Sequence, residues 1–168
     1  MKRIVIDCDP GNGIAGANVD DGLALALALA ADSIKLELIT IVAGNTPRDT
    51  GYQVARQLMR ELNQSIPVVK GAAQALIEPA APWREQLDNN VRKQGCCHCG
   101  IVYLQYCHSM ITVHHMQHRR LASLCAAILV KLLVVAIGPL TNIAHTFSFI
   151  PISLVLWPKL LSWVVFLK

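Results

Sequence analysis

A chain of 168 residues suits one domain with a sizeable core. The formal charge of +4 hides a division: all eleven Asp and Glu lie at or before Asp88, and the 80 residues beyond it hold seven Lys and Arg and no acid. The first part is thus net negative by about three charges and the second net positive by about seven, and because the basic residues are scattered and not interleaved with aromatics they exclude a nucleic-acid footprint.

In chain order, Met1 to Asp7 has too short an apolar run for a signal peptide. A reducing cytoplasm with free thiols is the expected setting. Ile4-Val5-Ile6 predicts a short buried strand ending at Asp7. Cys8 to Val19, with Gly11, Gly13 and Gly16, predicts a loop. Asp20 and Asp21 open a predicted helix over Gly22 to Ala31, where a helix N-terminus favours negative charge. Leu36 to Val42 predicts a second strand, ended by Gly44-Asn45. Thr46-Pro47-Arg48-Asp49 resembles a capping box with Pro at the first helical position and Asp in place of Glu. Val54, Leu58 and Leu62 fall on one face of the helix that follows. Pro67-Val68-Val69 predicts a third short strand.

From Cys96 to Leu132 no helical or strand period persists. Order returns at Val134 to Asn142, a predicted buried strand with a Pro-led turn into a helix, and dissolves again after His145. Phe147 to Lys168 is apolar, but Pro151, Pro158 and Lys159 argue against a membrane span. Strand–helix alternation predicts an α/β fold with a mostly parallel sheet flanked by helices, seen here as its N-terminal half, and an irregular C-terminal part. In such folds site residues sit at the carboxyl ends of strands, where Asp7, Asp9 and Asn45 map.

Asp7, Asp9, Asp20 and Asp21 bracket a glycine-rich turn. So much negative charge in one place needs a cation, a proton or a polar ligand. A divalent cation held by oxygen ligands fits these residue types. An aspartyl phosphatase also begins with Asp-x-Asp after a first strand, but usually has Thr or Val where Pro10 stands. A solvated, capped loop is the third reading. Zinc could be sought in Cys96, Cys97, Cys99, Cys107, His108, His114, His115 and His118, although Cys96-Cys97-His98-Cys99 is too crowded for one tetrahedron.

Asp7-Cys8-Asp9-Pro10-Gly11, Asp20-Asp21, Val42-Ala43-Gly44-Asn45 and Val135 to Asn142 together resemble the inosine-uridine-preferring nucleoside hydrolase family. Residues 1–95 and 134–146 are family-like; 96–133 and 147–168 are anomalous. The resemblance implies a hydrolase that splits ribonucleosides into base and ribose with a bound Ca2+, acting on a nucleoside through its ribose, and built as a homo-oligomer. Asp9 would ligate Ca2+ and act as general base. Asp21 would be a further Ca2+ ligand, Asp7 would contribute to the metal site, and Ile137 would lend its backbone carbonyl. Asp20 and Asn45 would hold ribose hydroxyls.

Two departures from the family pattern follow. Eight residues separate Gly11 from Asp20, where the commonest pattern has a single one. The family's distal His-Asp pair and its mid-chain ribose-contact segment are also absent, and no acid follows Asp88 to replace them. The resemblance is therefore to a truncated member, with activity lost or impaired.

The anomalous segments have a further reading. Shifted by one base with free choice of synonymous codons, Ile128 to Leu133 can encode Pro-Gly-Glu-Ile-Thr, and Leu156 to Phe166 can encode Val-Ala-Glu-Ile-Val-Val-Met-Gly-Gly-Val. These look like the family's lead-in to one strand and its next strand. Out-of-frame translation of 96–133 and 148–168 would explain why acidic residues vanish. Resequencing around codons 95 and 147 is expected to reveal base insertions or deletions; a gene with no coherent alternative frame there would overturn this.

Overall fold

The computed structural model describes residues 1–79, 81–93, 95 and 132–149. The candidate zinc ligands and nearly all of the two anomalous segments lie outside the described residues. The described chain runs β1 (Lys2–Cys8), α1 (Asp20–Ala30), β2 (Ile34–Ile41), α2 (Arg48–Glu61), β3 (Val68–Lys70), α3 (Ala81–Lys93), β4 (Leu132–Ala136) and α4 (Thr141–Phe149). The strands form one sheet in the order β3-β2-β1-β4, and every pairing is parallel. The expected α/β architecture is therefore present. No helix among the described residues is long and apolar enough to cross a membrane.

β1 lies inside the sheet, flanked by β2 and β4. A strand covered on both faces needs apolar residues in succession rather than in alternation. Ile4, Val5 and Ile6 meet that need, and all three are buried. Ile4, Ile6 and Cys8 face one core with Ile39 and Ile41 of β2, Leu25 and Ala28 of α1, and Ala55 and Met59 of α2. Val5 faces the opposite core with Leu38 and Val134, against which Ile143 of α4 packs. Helices thus cover both faces. Cys8, the only cysteine among the described residues, is buried and unpaired, and burial pushes its thiol pKa well up.

The β1–β2 register contains a one-residue shift. Ile4 pairs with Leu36, but Val5 pairs with Leu38. The extra residue is Glu37, whose carboxylate takes Arg3 Nε at 2.7 Å and Lys35 Nζ at 3.0 Å. A register slip of one residue exchanges the two faces of a strand. Leu36 and Leu38, two apart, accordingly join opposite cores. Beyond the shift, Asp7 pairs with Thr40 rather than with Ile39.

Several expected local features take another form. α1 begins at Asp20, two residues before the expected start, so both aspartates occupy its first turn. Its N-cap is Val19, with no side-chain cap. The expected capping box at α2 is not formed: Pro47 is the N-cap, again without a side-chain cap. The Thr46 hydroxyl instead donates to the Pro10 carbonyl at 3.2 Å, tying the start of α2 to the loop after β1. Of the three expected face residues, Val54 is buried and Leu58 packs against the core, but Leu62 lies past the helix end, 42% exposed. α3 over Ala81–Lys93 is a helix beyond those expected from the sequence.

Ile39 is fully buried between β1 and the two helices on its face. Ile39→Ala should lower unfolding free energy by about 2–5 kcal/mol, because a cavity adds to the lost transfer energy. Urea denaturation of the two proteins measures this.

Candidate functional site

The site forms where β1 and β4 end. A parallel sheet brings its strand ends to one edge, so residues just past β1, β2 and β4 become neighbours. Asp7 is the penultimate residue of β1 and Asp9 follows its end. Asp21 comes from the first turn of α1, Asn45 from the loop after β2, and Ile137 from the residue after β4.

Asp7 is completely buried. Its Oδ1 accepts the Thr40 hydroxyl at 2.5 Å and the Asn142 Nδ2 at 2.7 Å. Its Oδ2 is buried without a hydrogen-bond partner. Burial raises the Asp7 pKa to about 6, against the two hydrogen bonds that favour the anion. The same residue anchors the β4 turn through its backbone carbonyl, which accepts Ile137 N at 2.9 Å and Gly138 N at 3.2 Å.

Asp9 is buried among backbone. Its Oδ2 accepts the Asn45 N–H at 2.5 Å. A Cβ at Gly44 would overlap that oxygen, and one at Gly138 would stand 3.0 Å from Oδ1 and 2.8 Å from Val42. Both positions therefore admit only glycine without a shift of their neighbours. Asp9 and Asp21 stand close enough for each carboxyl to act on the pKa of the other. Burial raises the pKa of both, with like charge from Asp9 and Asp20 adding to the rise at Asp21, which reaches about 7. Asp20 is exposed on the rim.

Asn45 is committed to the glycine-rich loop. Its Oδ1 accepts the Asn18 N–H at 2.9 Å and its Nδ2 donates to the Asn18 carbonyl at 3.0 Å. The long loop is thus clasped at both poles of one carboxamide. A Cβ at Gly16, where φ is +77°, would also overlap Val91 of α3. Ile137 is 43% exposed, beside the buried acids.

The structure therefore brings together Asp7, Asp9, Asp21, Asn45 and Ile137, with Asp20 at the edge. Two buried partners were not singled out from sequence: Thr40 and Asn142. Asn142 stands in a conspicuous motif, a polar residue opening a helix after a Pro-led turn. Thr40 carries no such signal, because its neighbour is set by the register shift.

Ion pairs among the described residues join Arg3 and Lys35 to Glu37, and Arg48 and Lys70 to Asp49. None reaches Asp7, Asp9 or Asp21. Three buried acids without a basic partner among the described residues call for protons or a cation. Among the described residues no three His, Cys, Asp or Glu form a ready-made metal cage. The donors are nevertheless all oxygen, Asp7 Oδ2 is unpartnered, and Asp9 and Asp21 are neighbouring buried acids whose charges act on each other. That set fits a hard divalent cation and not zinc.

The raised pKa values set the pH dependence of the metal-free chain. An acid whose pKa is higher folded than unfolded favours folding below its unfolded value near 3.8, and that contribution is lost as pH rises through the folded value. For Asp7 and Asp21 the loss spans pH 4 to about 7. In chelator, the melting temperature should be lower at pH 8 than at pH 5, and Asp21→Asn should reduce the difference. Thermal melts by circular dichroism measure both.

A family model described as inosine-uridine preferring nucleoside hydrolase matches residues 4–151. The non-specific ribonucleoside hydrolase RihC of Klebsiella pneumoniae is 32% identical over 141 residues, which cover 84% of this chain and 41% of that protein. RihC of Salmonella paratyphi A is 40% identical over 77 residues, 46% of this chain and 23% of that protein. Among solved structures, a purine-preferring ribonucleoside hydrolase from Gardnerella vaginalis superposes with a TM-score of 0.64 at 21% identity, over 88% of this chain and 43% of its own. A plant nucleoside hydrolase superposes with a TM-score of 0.57 at 22% identity, over 88% of this chain and 42% of its own. These likenesses show the fold. The chain spans less than half the length of these relatives. Because the family model matches most of this chain, the chain belongs to the inosine-uridine preferring nucleoside hydrolase family.

Proposed function

We propose that this chain carries the cation- and ribose-binding half of a Ca2+-dependent ribonucleoside N-glycosidase centre. The observation that carries the reading is the group of three buried acids, Asp7, Asp9 and Asp21, with raised pKa values and no basic partner among the described residues. Membership of the family supports the reaction class, nucleoside plus water giving base plus ribose. It also favours this reading of the Asp cluster over an aspartyl phosphatase.

In the reaction, the bond from ribose C1′ to the base nitrogen breaks, and the oxygen of water takes the place of the base. Ca2+, when bound, would supply the positive charge that orients a water and makes it more acidic. Asp9 and Asp21 would hold it, with Asp7 contributing and the Ile137 carbonyl as a neutral ligand. Asp9, fixed by the Asn45 N–H, would take a proton from the attacking water. Asp20 and Asn45 would hold ribose hydroxyls, favouring the flattened, oxocarbenium-like sugar of glycoside hydrolysis.

The 168 residues supply no acid after Asp88. They therefore lack a further carboxylate for the cation, and a distal His-Asp pair to protonate the departing base. The polypeptide should bind Ca2+ or ribose with little or no turnover.

Isothermal titration of the chelator-treated chain with Ca2+ should give one site, and Asp21→Asn should weaken it at least about 10-fold. Ribose release from inosine or uridine by the pure chain should stay at background. Absence of Ca2+ binding would overturn the cation reading, and rapid ribose release would overturn the proposed lack of turnover.

A further inference from the structure

Asn142 performs two tasks with one carboxamide. Its Nδ2 donates to Asp7 Oδ1 at 2.7 Å, and its Oδ1 accepts the Ala72 N–H at 2.6 Å. The Ala72 N–H can only donate, so the carboxamide oxygen must face it and the amino group must face Asp7. Asn142 is 1% exposed. It reaches from the first turn of α4 to the end of β1 and to the loop after β3, across the strand ends of the whole sheet. Gly71 makes the reach possible, since a Cβ there would overlap the Asn142 carboxamide.

Thr40 adds the second donor to the same oxygen of Asp7. With Oδ1 taken by two donors, a proton or a cation on this carboxyl has only Oδ2 to occupy. That oxygen is buried and has no partner. Two bonds of fixed direction on Oδ1 also set the plane of the carboxylate and hence the direction in which Oδ2 is presented.

We propose that Asn142 and Thr40 are positioning residues that hold Asp7 by Oδ1 and present Oδ2 to the cation, and that Asn142 thereby couples cation uptake to the loop at Ala72. The inference rests on the cation reading of the site. Groups that orient a metal's ligands commonly change its affinity about 10- to 100-fold when removed. Neither residue touches substrate in this scheme; both act through Asp7.

The test uses Ca2+ alone as the probe, on the whole chain, by isothermal titration. Thr40→Val keeps the side-chain shape and removes the donor; it should weaken Ca2+ about 10-fold or more. Thr40→Ser restores the donor and should bind within about 2-fold of the parent. Asn142→Leu should weaken Ca2+ by a similar factor and expose the Ala72 amide to faster hydrogen exchange. The unaltered chain gives a readout that no variant's folding can confuse: Ca2+ should slow exchange at Ala72. Folded Thr40→Val with parental affinity, or Ala72 exchange indifferent to Ca2+, would overturn the positioning role while leaving the cation site intact. A parent chain that binds no Ca2+ defeats the cation reading itself, and this inference with it.

Discussion

The burial of the Asp7 carboxyl at the end of a central strand is the constraint around which this structure is arranged. A carboxylate without water is unfavourable unless donors replace its hydration. Asp7 receives two side-chain donors, Thr40 from β2 and Asn142 from α4. Its own carbonyl takes the Ile137 and Gly138 N–H groups that follow β4. One residue thus fixes the neighbouring strand, the β4 turn and the helix beyond. The loop after β3 joins through Ala72 and the far side of the Asn142 carboxamide.

This arrangement depends on an irregularity. Without the shift at Glu37, Ile39 would stand beside Asp7 and an apolar side chain would replace a donor. The shift is compatible with a buried sheet because the displaced residue remains satisfied at the strand's outer end, between Arg3 and Lys35. A change in pairing near the N-terminal end of the strand therefore decides the chemistry at its C-terminal end.

Asp9 and Asp21 solve the same electrostatic problem differently. Asp9 rests against backbone brought close by Gly44 and Gly138, with Asp21 as its acidic neighbour. Their pKa values rise because burial removes solvent, with like charge from neighbouring acids adding to the rise, as at Asp7. Asn45 links this acid pair to the glycine-rich loop, donating its backbone N–H to Asp9 while its side chain grips Asn18. The extra length of the loop thus bears directly on the residue expected to meet ribose. A chain under half the length of its relatives therefore holds a closely organised cluster of acids.

The sequence by itself determined the architecture and the main acids. Ile4-Val5-Ile6 marked a strand buried on both faces, and the parallel order that follows placed Asp7, Asp9 and Asn45 at one edge. Motif order was enough to name the family, since carboxylate, glycine and asparagine positions recur at strand ends. Helix limits were less legible: Val19 and Pro47 cap helices where Asp20 and Thr46 had the better side chains, because Thr46 met a stronger demand from the Pro10 carbonyl. Only the tertiary structure decided that Thr40 and Asn142 hold Asp7, that Asp9 pairs with Asp21, and that Asn45 clasps Asn18. The bonds of Asn45 to Asn18, of Thr40 to Asp7 and of Asn142 to Asp7 join residues 27 to 135 positions apart, and the Thr40 bond turns on a register shift. Local periodicity carries no record of which residue of one strand lies beside which residue of the next, so that information exists only once the sheet has formed.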